Sequence, residues 1–155
     1  SQVLGAMMGT TLVWLNYKKQ YDATDDKEAL RATFCTSPAI RNPLWNFVTE
    51  AIGTFTLVFG VFFIAGGNFS GEAVSLGSLD ALPVALLVVG IGFSLGGPTG
   101  YAINPARDLG PRIMHAILPI KNKGASDWSY SWIPIIAPLT GGILAALVYA
   151  LVEAV

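Results

Sequence analysis

The chain is poor in charged residues. Only 12% of its 155 residues are Asp, Glu, Lys or Arg, whereas an ordinary soluble domain has about 25%. The formal net charge is −1, so no basic surface predicts a nucleic-acid partner. Cys35 and His115 are the single cysteine and histidine, which excludes an intrachain disulfide and a cysteine metal cluster. We therefore expect neither metal nor cofactor. An enzyme is the least favoured class, because the sequence shows no serine–histidine–acid set.

Apolar residues, 53% of the chain, are concentrated in runs without charge. Residues 1–17, 81–106 and 132–152 contain no charged residue, and residues 43–68 contain only Glu50. A helix of about 20 apolar residues crosses the hydrocarbon core of a bilayer, and a chain of this size has too little polar sequence to shield such helices from water. The pattern predicts an all-α, multi-pass protein of the plasma membrane. Its predicted spans lie at about residues 44–66, 81–96 and 132–153, with a first segment at 1–17 that is barely long enough.

An unusual segment follows the third run. Residues 96–105 read GGPTGYAINP and are rich in helix breakers, although non-helical backbone at membrane depth is tolerated only inside protein or beside a watery cavity. Asn104 is a good cap and Pro105 suits a first helical position. A helix from there to residue 118 would measure about 20 Å and could not cross the bilayer. We predict a re-entrant loop and half-helix over residues 96–118. Such an interruption indicates an inverted-repeat protein, and because no second one is present we expect the N-terminal repeat to be absent.

The chemistry of this segment suits a pore. The amide of Asn104 can cap the half-helix with its oxygen and keep its NH2 donors for a cavity, and the helix N-terminus carries about half a positive charge, which repels cations. The extended backbone of residues 100–103 offers carbonyl acceptors along a wall. Arg107, a permanent charge within the membrane, is a functional residue by default. The alternatives are a plain capped turn at Asn104 and an ion pair between Arg107 and Asp108.

Residues 100–112, GYAINPARDLGPR, closely resemble the second Asn-Pro-Ala signature of the aquaporin superfamily. The resemblance extends over the whole chain and implies an aquaporin-like inverted-repeat bundle, here with three full spans and one half-helix. It also implies a passive channel with an arginine at its outer constriction. The pore and selectivity residues that it implies are Asn104, Arg107, Tyr101, Gly92, Gly100, Ala102 and Ile103. The residues that it implies for support of the pore loop are Pro105, Ala106, Asp108 and Glu50, the last of which should accept hydrogen bonds from the broken backbone.

Within the superfamily the sequence resembles the glycerol facilitator branch. Gly92 stands where water-selective relatives have a histidine, and Tyr101 stands where the glycerol pattern has an aromatic residue. Asp108 with Arg112, and Pro134 with Ile135, are also typical of that branch. The departures are the hydroxyl of Tyr101, isoleucine at 135 and serine at 37. The alternatives that stay open are a water-selective channel, a channel for another small solute such as lactic acid, and a membrane structural or junction protein.

The expected partners are the lipid bilayer, glycerol and water as permeants, the missing N-terminal half and identical copies in a homotetramer. The orientation is contested. The loop of residues 18–42 carries five Lys or Arg and that of residues 66–80 none, so the positive-inside rule places the first loop in the cytoplasm, whereas the resemblance places it outside. We follow the resemblance, and we expect His115 to lie toward the outer surface.

Overall fold

A computed structural model describes residues 1–65, 68–69, 72–73 and 77–154 of the chain. Three of its helices are long and apolar enough to cross a membrane, over Pro43–Ile64, Leu82–Thr99 and Ile133–Glu153, with mean hydropathies of 1.9, 1.7 and 2.2. The helices of the described part are α1 (Gln2–Asn16), α2 (Lys18–Ala23), α3 (Lys27–Ala32), α4 (Pro43–Ala65), α5 (Leu82–Thr99), α6 (Pro105–Ile117) and α7 (Ile133–Glu153).

Helix α4 packs against both α7 and α5, while α6 packs against α1 and α7. The crossing of α4 and α7 is close because Gly141 has no side chain: a Cβ there would lie 2.2 Å from the carbonyl oxygen of Ala51. A Cβ on Gly110 would similarly lie 2.7 Å from that of Ala6, where α6 meets α1. Small residues at crossings are how helices pack in lipid, where no hydrophobic drive holds them together.

The loop of residues 18–42 contains local structure that the sequence analysis did not predict. It folds into α2 and α3, and Asp26 caps α3 by accepting hydrogen bonds from the amides of Glu28 and Ala29 at 2.9 and 3.1 Å. Its apolar side chains form a cluster with residues of the connection that follows α6. The buried members are Tyr21, Leu30, Phe34, Cys35, Leu118 and Ile120. Both loops therefore fold over the C-terminal end of α6.

The loop predicted over residues 66–80 lies partly outside the described residues. Its described parts are two short strands, Asn68–Phe69 (β1) and Glu72–Ala73 (β2), which pair antiparallel, and a 3-10 turn at Gly77–Leu79. The C-terminal end of the second predicted span, at residue 66, also lies outside them.

Helix α5 is longer than predicted: it runs through the breakers at residues 96–98 and ends at Thr99. Gly97 precedes Pro98 and has no Cβ, so the clash that usually keeps a residue before proline out of the helical region is reduced. The helix ends only where Gly100 takes a left-handed conformation, with φ of 77°, and donates its amide to the carbonyl of Gly96 at 2.8 Å.

Candidate functional site

The candidate site is built on the chain between α5 and α6, residues 100–104, which we call the extended segment. Tyr101 and Ile103 both have positive φ, 39° and 43°, a region that costs residues with a Cβ about 1–3 kcal/mol each. Such a backbone persists only where its surroundings hold it. Two sets of contacts do so here, one from α4 and one from the loop of residues 18–42.

Glu50 of α4 provides the first set. Its carboxylate accepts hydrogen bonds from the amides of Ala102 and Ile103 at 2.9 and 2.8 Å, and its side chain is 1% exposed. The carboxylate is thus matched to two backbone donors that have no helix or strand partner. A buried carboxylate is costly unless hydrogen-bonded, and this arrangement satisfies both groups at once.

Asn104 ends the extended segment and begins the half-helix α6. Its Oδ1 accepts the amide of Ala106 at 2.9 Å, and Pro105 occupies the first helical position. In the described part of the chain the NH2 group of Asn104 forms no hydrogen bond. It borders an open groove of about 470 Å³, which is also lined by Ile103, Thr54, Val58 and Gly142. Donors at the positive end of a short helix are therefore available to a solute in this groove.

Tyr101 and Arg107 lie beside each other at the other end of the site. The guanidinium carbon of Arg107 is 5.9 Å from the centre of the Tyr101 ring. The ring packs across α5, where a Cβ on Gly92 or Gly96 would lie 3.4 and 3.1 Å from ring atoms. Glycine at both positions is what leaves room for the aromatic side chain. The structure thus brings Gly92, Tyr101 and Arg107 together.

Arg107 keeps its charge free of an ion pair within the described residues. It lines a recess of about 350 Å³ against Ala6, Gly9 and Thr10 of α1. Asp108, the neighbour considered as its partner, instead binds Arg112, with Nε–Oδ2 and Nη2–Oδ1 distances of 2.7 and 2.8 Å. Because Asp108 and Arg112 neutralise each other, Arg107 and the helix N-terminus leave a net positive field at this end of the site.

Two residues support the site although the sequence analysis did not assign them that role, Arg112 and Thr36. Both are buried, and both bind the carboxylate of Asp108. The spacing of Asp108 and Arg112, four residues apart on one helix, was an available signal for the ion pair. Thr36 could not have been found this way, because it lies 72 residues from Asp108.

His115 lies in the last turn of α6, and its expected position toward the outer surface stays a prediction. It is completely buried, with its Nδ1 2.8 Å from the hydroxyl of Ser126 and its ring 5.4 Å from that of Phe34. The two loops that fold over the end of α6 cover it. Cys35 in the same cluster is also buried, and burial raises the pKa of its thiol to about 11, so it stays protonated at neutral pH.

Comparisons with known proteins agree with this geometry. Residues 1–149 match the family model described as Major intrinsic protein. The chain is 52% identical over 149 residues to Glycerol uptake facilitator protein 3 of Lactiplantibacillus plantarum, covering 96% of this chain and 60% of that protein. It is 54% identical to the Probable glycerol uptake facilitator protein of Thermotoga maritima, covering 96% and 61% of the two chains. A D/L-lactic acid transporter of L. plantarum is 44% identical, with 94% and 60% covered.

The X-ray structure of the aquaglyceroporin from Plasmodium falciparum superposes with a TM-score of 0.74 at 28% identity, over 95% of this chain and 59% of the other. This match confirms the aquaporin-like fold that the sequence predicted. The chain spans about three fifths of the length of these relatives. With the match over residues 1–149 and the half-helix that begins at Asn104, the chain belongs to the major intrinsic protein family of membrane proteins.

Proposed function

We propose that this chain forms part of a passive channel for glycerol, other small neutral solutes and water in the plasma membrane. One observation carries the proposal: the extended segment, held by Glu50, leads to the NH2 group of Asn104 at one end and to Arg107 beside Tyr101 at the other. A solute that moves along this segment would meet backbone carbonyl acceptors, the NH2 donors of Asn104 and the guanidinium of Arg107. A hydroxylated solute can exchange its water for these groups without binding tightly.

The pairing of Tyr101 with Arg107 favours a solute that has one apolar and one hydroxylated side. The ring offers an apolar surface and the guanidinium offers donors in a fixed plane. Glycerol fits this description, since its carbon chain can lie on the ring while its hydroxyls face Arg107. The positive field there and at Asn104 opposes the passage of cations and protons.

The remaining wall and a second half-helix would come from a segment corresponding to the part of the relatives that this chain does not cover. We further propose that the complete channel forms a homotetramer in the bilayer, each subunit with its own pore. Large apolar side chains on α5 and α7 stay exposed in this chain, among them Phe93, which is 90% exposed, Ile143 and Leu151. These faces suit contact with lipid, the missing half or neighbouring subunits.

Osmotic stopped-flow measurements on vesicles test the channel. The full-length protein that contains this chain is expected to speed both water-driven shrinkage and glycerol-driven reswelling above the lipid background. Absence of both would refute the proposal and favour a structural protein. Faster shrinkage without faster glycerol entry would instead indicate a water-selective channel.

Lactic acid is a second candidate solute, because one relative bears the name of a lactic acid transporter. Its carboxyl and hydroxyl groups could use the same donors when the acid is undissociated. Uptake of labelled lactic acid at pH 4 and pH 7 distinguishes a channel that also conducts the neutral acid from one confined to polyols and water. A channel for the neutral acid gives uptake above background that rises at the lower pH, and a channel confined to polyols and water gives none.

A substitution at Gly92 tests the location of the constriction. A Cβ at that position would lie 3.4–3.7 Å from the ring and hydroxyl of Tyr101, so an imidazole there would occupy the solute path. We expect Gly92→His to reduce glycerol permeability far more than water permeability. Gly90→His is the matched control, since nothing lies within 4 Å of a Cβ on Gly90. Equal losses in both variants would place the constriction elsewhere.

We also propose that the loop of residues 18–42 faces outward, as in the family, against the prediction from its basic residues. Reporter fusions within this loop, in the full-length protein, test the orientation. Activity of a reporter that functions only in the cytoplasm would show that the loop faces inward and would refute the proposed orientation.

A further inference from the structure

A second group of contacts reaches the extended segment from the loop of residues 18–42. Residues 36–39, which we call the strap, pass over the point where α5 ends. The amide of Ala39 donates to the carbonyl of Pro98 at 3.1 Å, and a Cβ on Gly100 would lie 3.5 Å from the Cβ of Thr36. The strap therefore touches the first residue of the extended segment and the helix turn before it.

The strap is also bound to the half-helix beyond the extended segment. Thr36 donates its amide and its hydroxyl to one oxygen of Asp108, at 2.8 and 2.5 Å. Its carbonyl in turn accepts a hydrogen bond from Arg112 at 2.8 Å. A single residue of the strap thus binds the first turn of α6 and lies beside Gly100, the first residue of the extended segment.

Arg112 is the centre of this network. It is 0% exposed and donates five hydrogen bonds: two to Asp108, one to the carbonyl of Thr36, and one each to the carbonyls of Ser126 and Asp127, at 2.6–2.9 Å. One guanidinium therefore binds both the loop that follows α1 and the loop that follows α6. Lysine could not reproduce this pattern, because it lacks the planar set of donors.

The location of this network relative to the constriction suggests its role. Asp108 follows Arg107 directly, and Gly100 directly precedes Tyr101. The strap contacts Asp108 and lies beside Gly100, so it is close to the chain next to both constriction residues. The carboxylate of Glu50 instead accepts the amides of Ala102 and Ile103, which lie between Tyr101 and Arg107 in the chain. Neither Asp108 nor Arg112 can bind a permeating solute, since both are 0% exposed.

We infer that Arg112 is a positioning residue for solute selection: through Asp108 and the strap it sets the separation of Tyr101 and Arg107, and with it the largest solute that passes. The inference rests on the proposed channel function. Loss of Arg112 would leave the carboxylate of Asp108 buried without its cation, which is strongly unfavourable. The strap would be released and the two constriction residues would be free to separate.

The experiment compares the permeability of a four-carbon polyol, erythritol, with that of glycerol in vesicles containing the full-length channel. Arg112→Met should raise the erythritol-to-glycerol ratio by about 2- to 30-fold, the range for residues that act on a site they do not touch. Arg112→Lys should give an intermediate ratio. Lys19→Met is the control, because Lys19 is exposed and has no ion pair within the described residues, so its ratio should equal that of the wild type.

The ratio separates positioning from folding. A purely structural role would lower the amount of folded channel and reduce both permeabilities in parallel, leaving the ratio unchanged. Thr36→Val, which removes only the hydroxyl bond to Asp108, provides the same test should Arg112→Met fail to fold, and it too should raise the ratio. A folded variant of either kind whose ratio is unchanged or lowered overturns the inference. A wild-type channel with no flux would instead refute the proposed function.

Discussion

Glu50→Gln tests how strongly the extended segment depends on one buried carboxylate. Hydrogen bonds to charged groups contribute about 1.5–3 kcal/mol each, so the two bonds from Ala102 and Ile103 together contribute about 3–6 kcal/mol. Glutamine has one acceptor oxygen and can keep one neutral bond, of about 0.5–1.5 kcal/mol. Its NH2 group would face the other amide, donor against donor. The expected loss is about 2–5 kcal/mol.

That loss is comparable with the cost of the conformation it holds. Two residues with positive φ, Tyr101 and Ile103, cost about 2–6 kcal/mol together. We therefore expect the extended segment of Glu50→Gln to relax and the constriction to lose its geometry. A loss of about 3 kcal/mol, within that range, shifts the ratio of held to relaxed conformations by about 100-fold, and glycerol permeability would then fall by at most that factor.

The assay is stopped-flow glycerol permeability of the full-length channel, normalised to the amount of folded protein, together with thermal unfolding in detergent. Glu28→Gln is the charge-matched control: Glu28 is exposed in the loop of residues 18–42, and both measurements should equal those of the wild type. A folded Glu50→Gln channel with unchanged stability and glycerol permeability would refute the reasoning.

Three further predictions concern packing, backbone and pH. Gly141→Ala should force α4 and α7 apart and lower the unfolding temperature in detergent, by an overpacking cost of about 1–3 kcal/mol, whereas Gly142→Ala, whose Cβ would have its nearest contact at 3.8 Å, should not. Gly100→Ala should destabilise the channel by about 1–2 kcal/mol, because residue 100 has a left-handed backbone conformation, whereas Gly90→Ala, within α5 and with nothing within 4 Å of its added Cβ, should be neutral or stabilising; equal unfolding temperatures would contradict this. Burial of Asp127 opposes its ionisation, but the hydrogen bonds from its partners Arg41 and Ser129 and the nearby guanidinium charges outweigh that effect and hold its pKa below its usual range. A lowered pKa stabilises the fold above the ordinary value near pH 4, and this contribution is lost as the pH falls through the folded value. Unfolding temperatures measured from pH 6 to pH 3 should therefore fall less steeply in Asp127→Asn than in the wild type, and equal slopes would exclude the contribution.

Much of the fold could be predicted from the distribution of charged residues and helix breakers along the chain. Runs without charge predict the long helices because unpaired charge is too costly in lipid, and the breakers before Asn104 predict the half-helix because their backbone needs a polar surrounding. The end of α5 could not be predicted in the same way. Gly96 to Pro98 permit a helix as well as a break, and the capping bond of Gly100 decided between them.

The sequence by itself determined that the chain enters the membrane, that a short helix begins at Asn104 and that Arg107 lies near that helix's first turn. Each of these follows from local chemistry: hydropathy, capping and spacing along one helix. The tertiary structure alone decided that Thr36 binds Asp108 and Arg112 and that His115 is buried against residues of both loops. Those contacts join residues far apart in the chain, and which distant groups meet depends on how the helices and loops pack together.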